Sequence, residues 1–93
     1  MVIAVLSVEL FLPWSQSLKD KRMVLRRIKD RLQKLNVAVA EVEHQEQWQR
    51  GGLGVVAIST TTAHAEEQLR AAAEEIDRVE PGTVTRTDIE FLT

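Results

Sequence analysis

The run Val2–Leu12 is apolar on both of the sides that a β-strand presents. Every even position in it is apolar, and the odd positions Ile3, Val5 and Phe11 are apolar too. Because successive side chains of a strand point to opposite sides, this pattern predicts a strand covered on both faces, near the middle of a sheet. Pro13 ends the run, since proline donates no ladder hydrogen bond. The rest of the chain is therefore expected to be arranged around its own first strand.

A helix is predicted directly after this strand. Ser17 is a good N-cap, and Asp20, three residues later, replaces the glutamate of a capping box. One apolar stripe follows at helical spacing and ends near Asn36, and it consists of Leu18, Leu25, Ile28, Leu32 and Leu35. The remaining pattern predicts two strands, a second helix and a last strand, at Val37–Glu43, Leu53–Thr60, Ala63–Glu80 and Thr83–Leu92.

The resulting order is βαββαβ. With right-handed crossovers, the two βαβ halves of this order give an α+β ferredoxin-like sandwich. In it, a four-stranded antiparallel sheet of order 4-1-3-2 carries both helices on one face. The 93 residues, of which 44% are hydrophobic and 28% charged, are those of one folded domain, so residues 1–93 are expected to form a single unit.

The composition of the chain indicates the cellular compartment in which it is expected to fold. There is no cysteine, which excludes disulfides and thiolate chemistry and is compatible with a reducing cytoplasm. Val2–Leu12 has no basic region before it and is about half the length that spans a bilayer. We therefore expect a cytoplasmic protein without a membrane partner.

Charge is segregated between the two predicted helices. Residues 17–35 hold eight of the twelve Lys and Arg with two acids, a net +6, whereas residues 66–80 hold six acids with two Arg, a net −4. In the predicted fold the helices are antiparallel, so residues 17–22 should approach residues 74–80. Either these charges neutralise one another across the helix pair, or the basic helix binds an anionic partner.

The basic residues of the first helix fall on different sides of it. One stripe is uninterrupted by acids and consists of Lys19, Arg22, Arg26 and Lys29. The opposite flank mixes Arg27, Arg31 and Lys34 with Asp20 and Asp30, where a pair such as Asp30–Lys34 would make an ordinary solvated surface.

Lys21 falls among the apolar positions and must extend its side chain towards the end of the sheet. Because it lies beside a helix N-terminus, Lys21 is a candidate member of an anion site.

Two tryptophans are expected at the same end as the start of this helix. Trp14 follows the first strand, while Trp48 and Arg50 lie in the polar link between the second and third strands. Such aromatics among basic residues either stack on nucleobases and anchor a partner, or cover the end of a small core.

The chain resembles the YlxP-like family of small, mostly bacterial proteins. The resemblance covers nearly the whole chain and is carried by SLKDKR at 17–22, NV at 36–37, AEV at 40–42, WQ at 48–49 and LG at 53–54. It implies a ferredoxin-like fold, and it provides no established catalytic residues to carry over to this chain. The family's genes often lie near those for transcription elongation, translation initiation and ribosome-binding factors, which implies an association with RNA or the ribosome.

The sequence gives little support to four more specific hypotheses, namely an RNA-recognition motif, an acylphosphatase, another enzyme and a metal site. The third strand begins like that of an RNA-recognition motif, yet it has Leu53 and Val55 where aromatics would stack on bases. The anion cradle of acylphosphatases is not recognisable after the first strand. No acid, base and nucleophile can be assembled, so no enzyme, cofactor or small-molecule substrate is indicated. His44 is not expected to bind a metal, since alternation puts Glu41 and Glu43 on the opposite face.

Two hypotheses about function remain. The first is a non-enzymatic protein that contacts RNA or the ribosome through the basic helix and the tryptophan-bearing end, with contacts from Lys19, Lys21, Arg22, Arg26, Lys29, Arg50, Trp48 and Trp14. The alternative is a homodimeric interaction module whose helix charges are internally paired. Its interface would be the open sheet face, which is expected to carry Ile3 or Val5.

Overall fold

The computed structural model describes residues 1–93, and the predicted element order is confirmed. The elements are β1 (Val2–Phe11), α1 (Leu18–Leu32), β2 (Ala38–Glu43), β3 (Arg50–Ser59), α2 (Thr62–Val79) and β4 (Val84–Phe91). All neighbouring strands are antiparallel and follow the order β2-β3-β1-β4. This is the predicted order 4-1-3-2 viewed from the other edge, and β1 is an inner strand as its apolar pattern requires.

The largest shift from the predicted boundaries concerns the second hairpin. β3 begins at Arg50, three residues before the apolar run that predicted it. Phe11 pairs with Arg50 and Leu10 with Gly51, so the polar start of β3 is held by the end of β1. The link between β2 and β3 is therefore the short segment 44–49. This segment is called the hairpin loop below.

Both helices begin at hydroxyl caps, and that of α1 is the predicted Ser17. The Ser17 side chain accepts the N–H of Asp20 at 3.1 Å, and that of Thr61 accepts the N–H of His64 at 3.1 Å. The Asp20 carboxylate in turn accepts the N–H of Gln16 at 3.0 Å. The two cap bonds satisfy donors that the first turn of a helix leaves without partners.

The turn after α2 depends on a glycine. Gly82 has a φ of 77°, a left-handed conformation that glycine adopts without a Cβ clash. Together with Pro81 it directs the chain from the helix back into β4. The Thr83 hydroxyl donates to the carbonyl of Glu80 at 2.7 Å, which closes the turn.

The core lies between the sheet and the two helices. From β1 only the even residues enter it, so Ile3, Val5, Ser7, Glu9 and Phe11 are on the other side of the sheet, which no helix covers and which is called the open face below. The buried apolar cluster consists of Ala4, Leu6, Val8, Leu10, Leu12, Val24, Leu25, Ile28, Leu32, Leu53, Val55, Ala57, Ala65, Leu69, Ala72 and Ile76. Burial of each large side chain stabilises the fold by roughly 1.5–3 kcal/mol.

Candidate functional site

The hairpin loop is fastened to α1 by a buried lysine. Lys21 is only 1% exposed. Its Nζ donates to the backbone carbonyl oxygens of His44 at 2.8 Å, Arg50 at 3.2 Å and Gln45 at 3.3 Å. Three carbonyls match the three N–H donors of an ammonium group. Lys21 thus holds both ends of the hairpin loop against the start of α1.

A carboxylate completes the surroundings of this ammonium. The Oε2 of Glu41 on β2 lies 3.0 Å from Nζ. This oxygen receives no directed hydrogen bond, because the three donors point at carbonyls, so the contact is ionic. The anion-contacting role predicted for Lys21 does not fit this arrangement, since its charge is neutralised and removed from solvent. The extension of Lys21 towards the end of the sheet is as predicted.

A β-bulge near the end of β2 separates two acids that were expected to share a face. The register shifts between Glu41, which pairs with buried Leu53, and Glu43, which pairs with Gly52 opposite Glu9. Glu41 therefore faces the helices and Glu43 the open face. The expected alternation was wrong because a bulge inserts one residue and reverses the faces beyond it.

His44 begins the hairpin loop in a left-handed conformation with a φ of 62°. Histidine is among the non-glycine residues that tolerate this region, and here the carbonyl that it offers is bonded by Lys21. The ring is half-buried and its Nε2 lies 2.9 Å from the Oε2 of Glu9 on β1. The loop is thereby attached to the open face as well as to α1.

The loop between β1 and α1 lies beside the hairpin loop. The Gln49 side-chain amide donates to the carbonyls of Pro13 at 3.0 Å and Ser15 at 3.3 Å. Trp14 and Trp48 thus lie at the same end of the sandwich, as predicted. Trp14 is 49% exposed and Trp48 53% exposed, so about half of each side chain is in contact with solvent.

A groove of about 390 Å³ opens between the hairpin loop and the end of β1. Its lining consists of Phe11 and residues 46–50, including Trp48 and Arg50. Phe11 is the cross-strand partner of Arg50 on the open face, and the Arg50 guanidinium also lies 3.8 Å from the Glu9 carboxylate. Phe11 and Glu9 were missed from the sequence, because their contribution depends on where β3 begins. The apolar odd positions of β1 were the available signal for Phe11.

The acids of α2 pair with the middle and end of α1. Arg27 contacts Glu80 at 2.6 Å, and Arg31 contacts Glu75 at 3.3 Å. The expectation that residues 17–22 would meet residues 74–80 was wrong, because the end of α2 lies opposite the middle of α1. Internal pairing of the two charged helices therefore occurs, but through different arginines.

The other flank of α1 carries cations without ion pairs. Its members are the predicted stripe of Lys19, Arg22, Arg26 and Lys29, of which the first three are exposed and Lys29 is half-buried. No acid lies within ion-pairing distance of any of them, although six ion pairs of Lys or Arg with an acid form elsewhere. By helical position this flank is opposite Arg27 and Arg31, and so it lies on the β2 side of α1. It is called the free basic flank below.

No group of three or more His, Asp or Glu side chains is arranged to hold a metal ion. His64 is exposed in the first turn of α2, where its backbone N–H serves the helix cap. Neither α1 nor α2 combines the length and apolarity that a bilayer-crossing helix needs.

The fold defines an α+β protein of the ferredoxin-like class. The chain belongs to the family described as a protein of unknown function (DUF503), which matches residues 3–89. It is 40% identical over 75 residues to the uncharacterized protein YlxP of Bacillus subtilis (strain 168), and the match covers 77% of this chain and 82% of YlxP. The resemblance seen in the sequence motifs is confirmed.

Similar folds occur among solved structures. The de novo designed protein Foldit4 matches with a TM-score of 0.56 and 10% identity over 99% of this chain and 96% of its own. A C-terminal segment of the alpha subunit of aIF2 from Pyrococcus abyssi matches with a TM-score of 0.54 and 24% identity, over 96% of this chain and 49% of its own. At these identities the likeness concerns the fold alone.

Proposed function

We propose that the protein is a non-enzymatic, cytoplasmic binding protein that associates with RNA or the ribosome. The contact residues are those of the free basic flank of α1, together with Trp48 and Arg50 at the end of the sandwich where α1 begins. Trp14 lies outside the groove, and Lys21 is enclosed, so neither belongs to this surface. Lys21 instead fixes the loop that carries Trp48.

The observation that carries this proposal is the division of charge on α1. If the basic residues served only to pair with α2, the unpaired ones would have no role, yet four cations without acid partners lie together on the flank away from α2. A protein of net charge −2 that concentrates unpaired cations on one surface creates a local positive potential. Phosphate backbones are the natural partners of such a surface, because binding releases condensed counterions.

Sucrose-gradient sedimentation of tagged protein with cell lysate tests the proposal. Co-migration with ribosomal subunits is expected at low salt, and it should weaken as salt is raised, because phosphate contacts are screened. A variant in which Arg22 and Arg26 are changed to Gln should remain at the top of the gradient. Free sedimentation of the unaltered protein at low salt would contradict the proposal.

A second candidate function, homodimerisation, is favoured by the open face. Ile3 pairs across strands with Ile58, and Val5 pairs with Val56, so four large aliphatic side chains share one uncovered area. Ile58 is 56% exposed. A second copy of the chain would remove this surface from water by a symmetric, self-complementary contact.

A further inference from the structure

Half of the chain's aromatic residues line one groove. The sequence contains two Phe, two Trp and no Tyr, and of these Phe11 and Trp48 both face the groove at the end of the open face. Phe11 is 45% exposed and Trp48 is 53% exposed. Large apolar rings held together in solvent at one site mark a binding surface.

The polar lining complements a flat, hydrogen-bonding ring. Glu46 supplies acceptors, Gln47 supplies both donors and acceptors, and Arg50 supplies a cation beside the two aromatic side chains. A nucleobase has a flat face that stacks on aromatic rings, and its edges carry both donors and acceptors. Its own phosphate is an anion that pairs with arginine. The groove thus offers each of the contacts that a nucleotide makes.

The groove is already assembled in the free protein. Lys21 bonds carbonyls at both ends of the hairpin loop. His44 contacts Glu9, and the Gln49 side chain bonds the loop between β1 and α1. A ligand that enters the groove therefore does not have to order the segment that carries Trp48. Preorganisation of this kind improves affinity by lowering the entropy cost of binding.

We propose that the groove binds one unpaired nucleobase, which stacks on Phe11 and Trp48 while its phosphate lies at Arg50. The RNA contacted by the protein is then single-stranded at this point, because a base within a duplex is stacked on its neighbours and cannot enter. This inference rests on the proposed function and deepens it by naming the form of RNA. The free basic flank of α1 supplies further phosphate contacts.

The test compares a single strand of about ten nucleotides with its own duplex, a length within the range that small single-strand-binding domains cover. Trp48→Ala and Phe11→Ala are each expected to raise the Kd for the single strand about tenfold or more, and to leave the duplex Kd unchanged. Trp14→Ala is the matched control, since Trp14 is equally exposed in the neighbouring loop but outside the groove. Both altered side chains are about half exposed, so thermal melts should show that the variants remain folded.

A fluorescence titration separates failure of this inference from failure of the proposed function. In a Trp14→Phe background, Trp48 is the only tryptophan, and both the single strand and adenosine monophosphate should quench its emission. Quenching by the mononucleotide in protein that binds no RNA would support the groove and overturn the proposed RNA function. Equal affinity for single strand and duplex, with Trp48→Ala behaving like Trp14→Ala, would overturn the groove and leave RNA binding intact.

Discussion

The Nζ of Lys21 lies 2.8 Å from the carbonyl oxygen of His44, and this bond connects the first helix to the loop that carries Trp48. His44 presents that carbonyl from a left-handed backbone conformation, directly after the β2 bulge. The same amine bonds the carbonyl of Arg50, where β3 begins. One buried cation thus determines the shape of the segment on which the proposed binding groove depends.

Removal of this cation should strongly destabilise the protein. Lys21→Met is expected to lower the free energy of unfolding by about 3–5 kcal/mol, because it leaves the Glu41 carboxylate and three backbone carbonyls without their partner. Lys19→Met, on the exposed surface of the same helix, is the control and should stay within about 0.5 kcal/mol. Urea unfolding measures both. Equal stabilities of the two variants would show that the amine does not support the loop.

The ion pairs between the helices should be measurable but weak. A double-mutant cycle on Arg27 and Glu80, each changed to Gln, is expected to give a coupling free energy of about 0.2–1 kcal/mol, since the Arg27 side chain is largely exposed. The matched cycle on Arg22 and Glu80 should give none, because Arg22 has no acid partner. Coupling in the second cycle that equals the first would contradict the described placement of the two helices.

Two glycines of β3 should respond differently to an added methyl group. A Cβ at Gly52 would collide with the Cβ of Glu43 at the bulge, whereas a Cβ at Gly54 would meet Val42 at an ordinary contact distance of 3.5 Å. Gly52→Ala should therefore destabilise the protein by about 1–3 kcal/mol, as overpacking does. Thermal unfolding of both variants provides the comparison. If Gly54→Ala proved the more damaging, the register of β2 on β3 would be wrong.

The open face should mediate self-association if the second candidate function holds. Light scattering at high micromolar concentration is then expected to show a dimer, and Val5→Lys or Ile58→Lys should convert it to a monomer, because a charge would be buried in the contact. Thr60→Lys, just beyond the end of β3, provides the control. A monomeric unaltered protein would remove this candidate.

The fold was predictable from the sequence because local signals agreed with one another. The apolar pattern of β1, the hydroxyl caps at Ser17 and Thr61, and the Pro81-Gly82 turn each act over a few residues, and together they allow few topologies. The free basic flank was predictable as well, since helical spacing alone defines it.

Other parts of the candidate site depend on long-range register. The bulge that separates Glu41 from Glu43, and the pairing of Phe11 with Arg50, follow from how β2 and β1 align with β3. No short window of sequence specifies that alignment. The position of α1 along α2, which brings Arg27 next to Glu80, is likewise determined by packing across the core. The set of residues that line the groove therefore follows from the tertiary structure and not from any local stretch of sequence.

The salt dependence of RNA affinity tests the central claim most directly. Two variants of α1 carry the same change in charge: Arg22→Gln with Arg26→Gln on the free basic flank, and Arg27→Gln with Arg31→Gln on the flank that pairs with α2. The first should weaken binding and reduce the slope of log K against log salt by about 0.7–0.9 for each phosphate that the variant no longer neutralises, whereas the second should keep the slope of the unaltered protein. Equally weakened binding in the two variants, or unchanged binding in the first, would contradict the proposal that the free basic flank binds RNA.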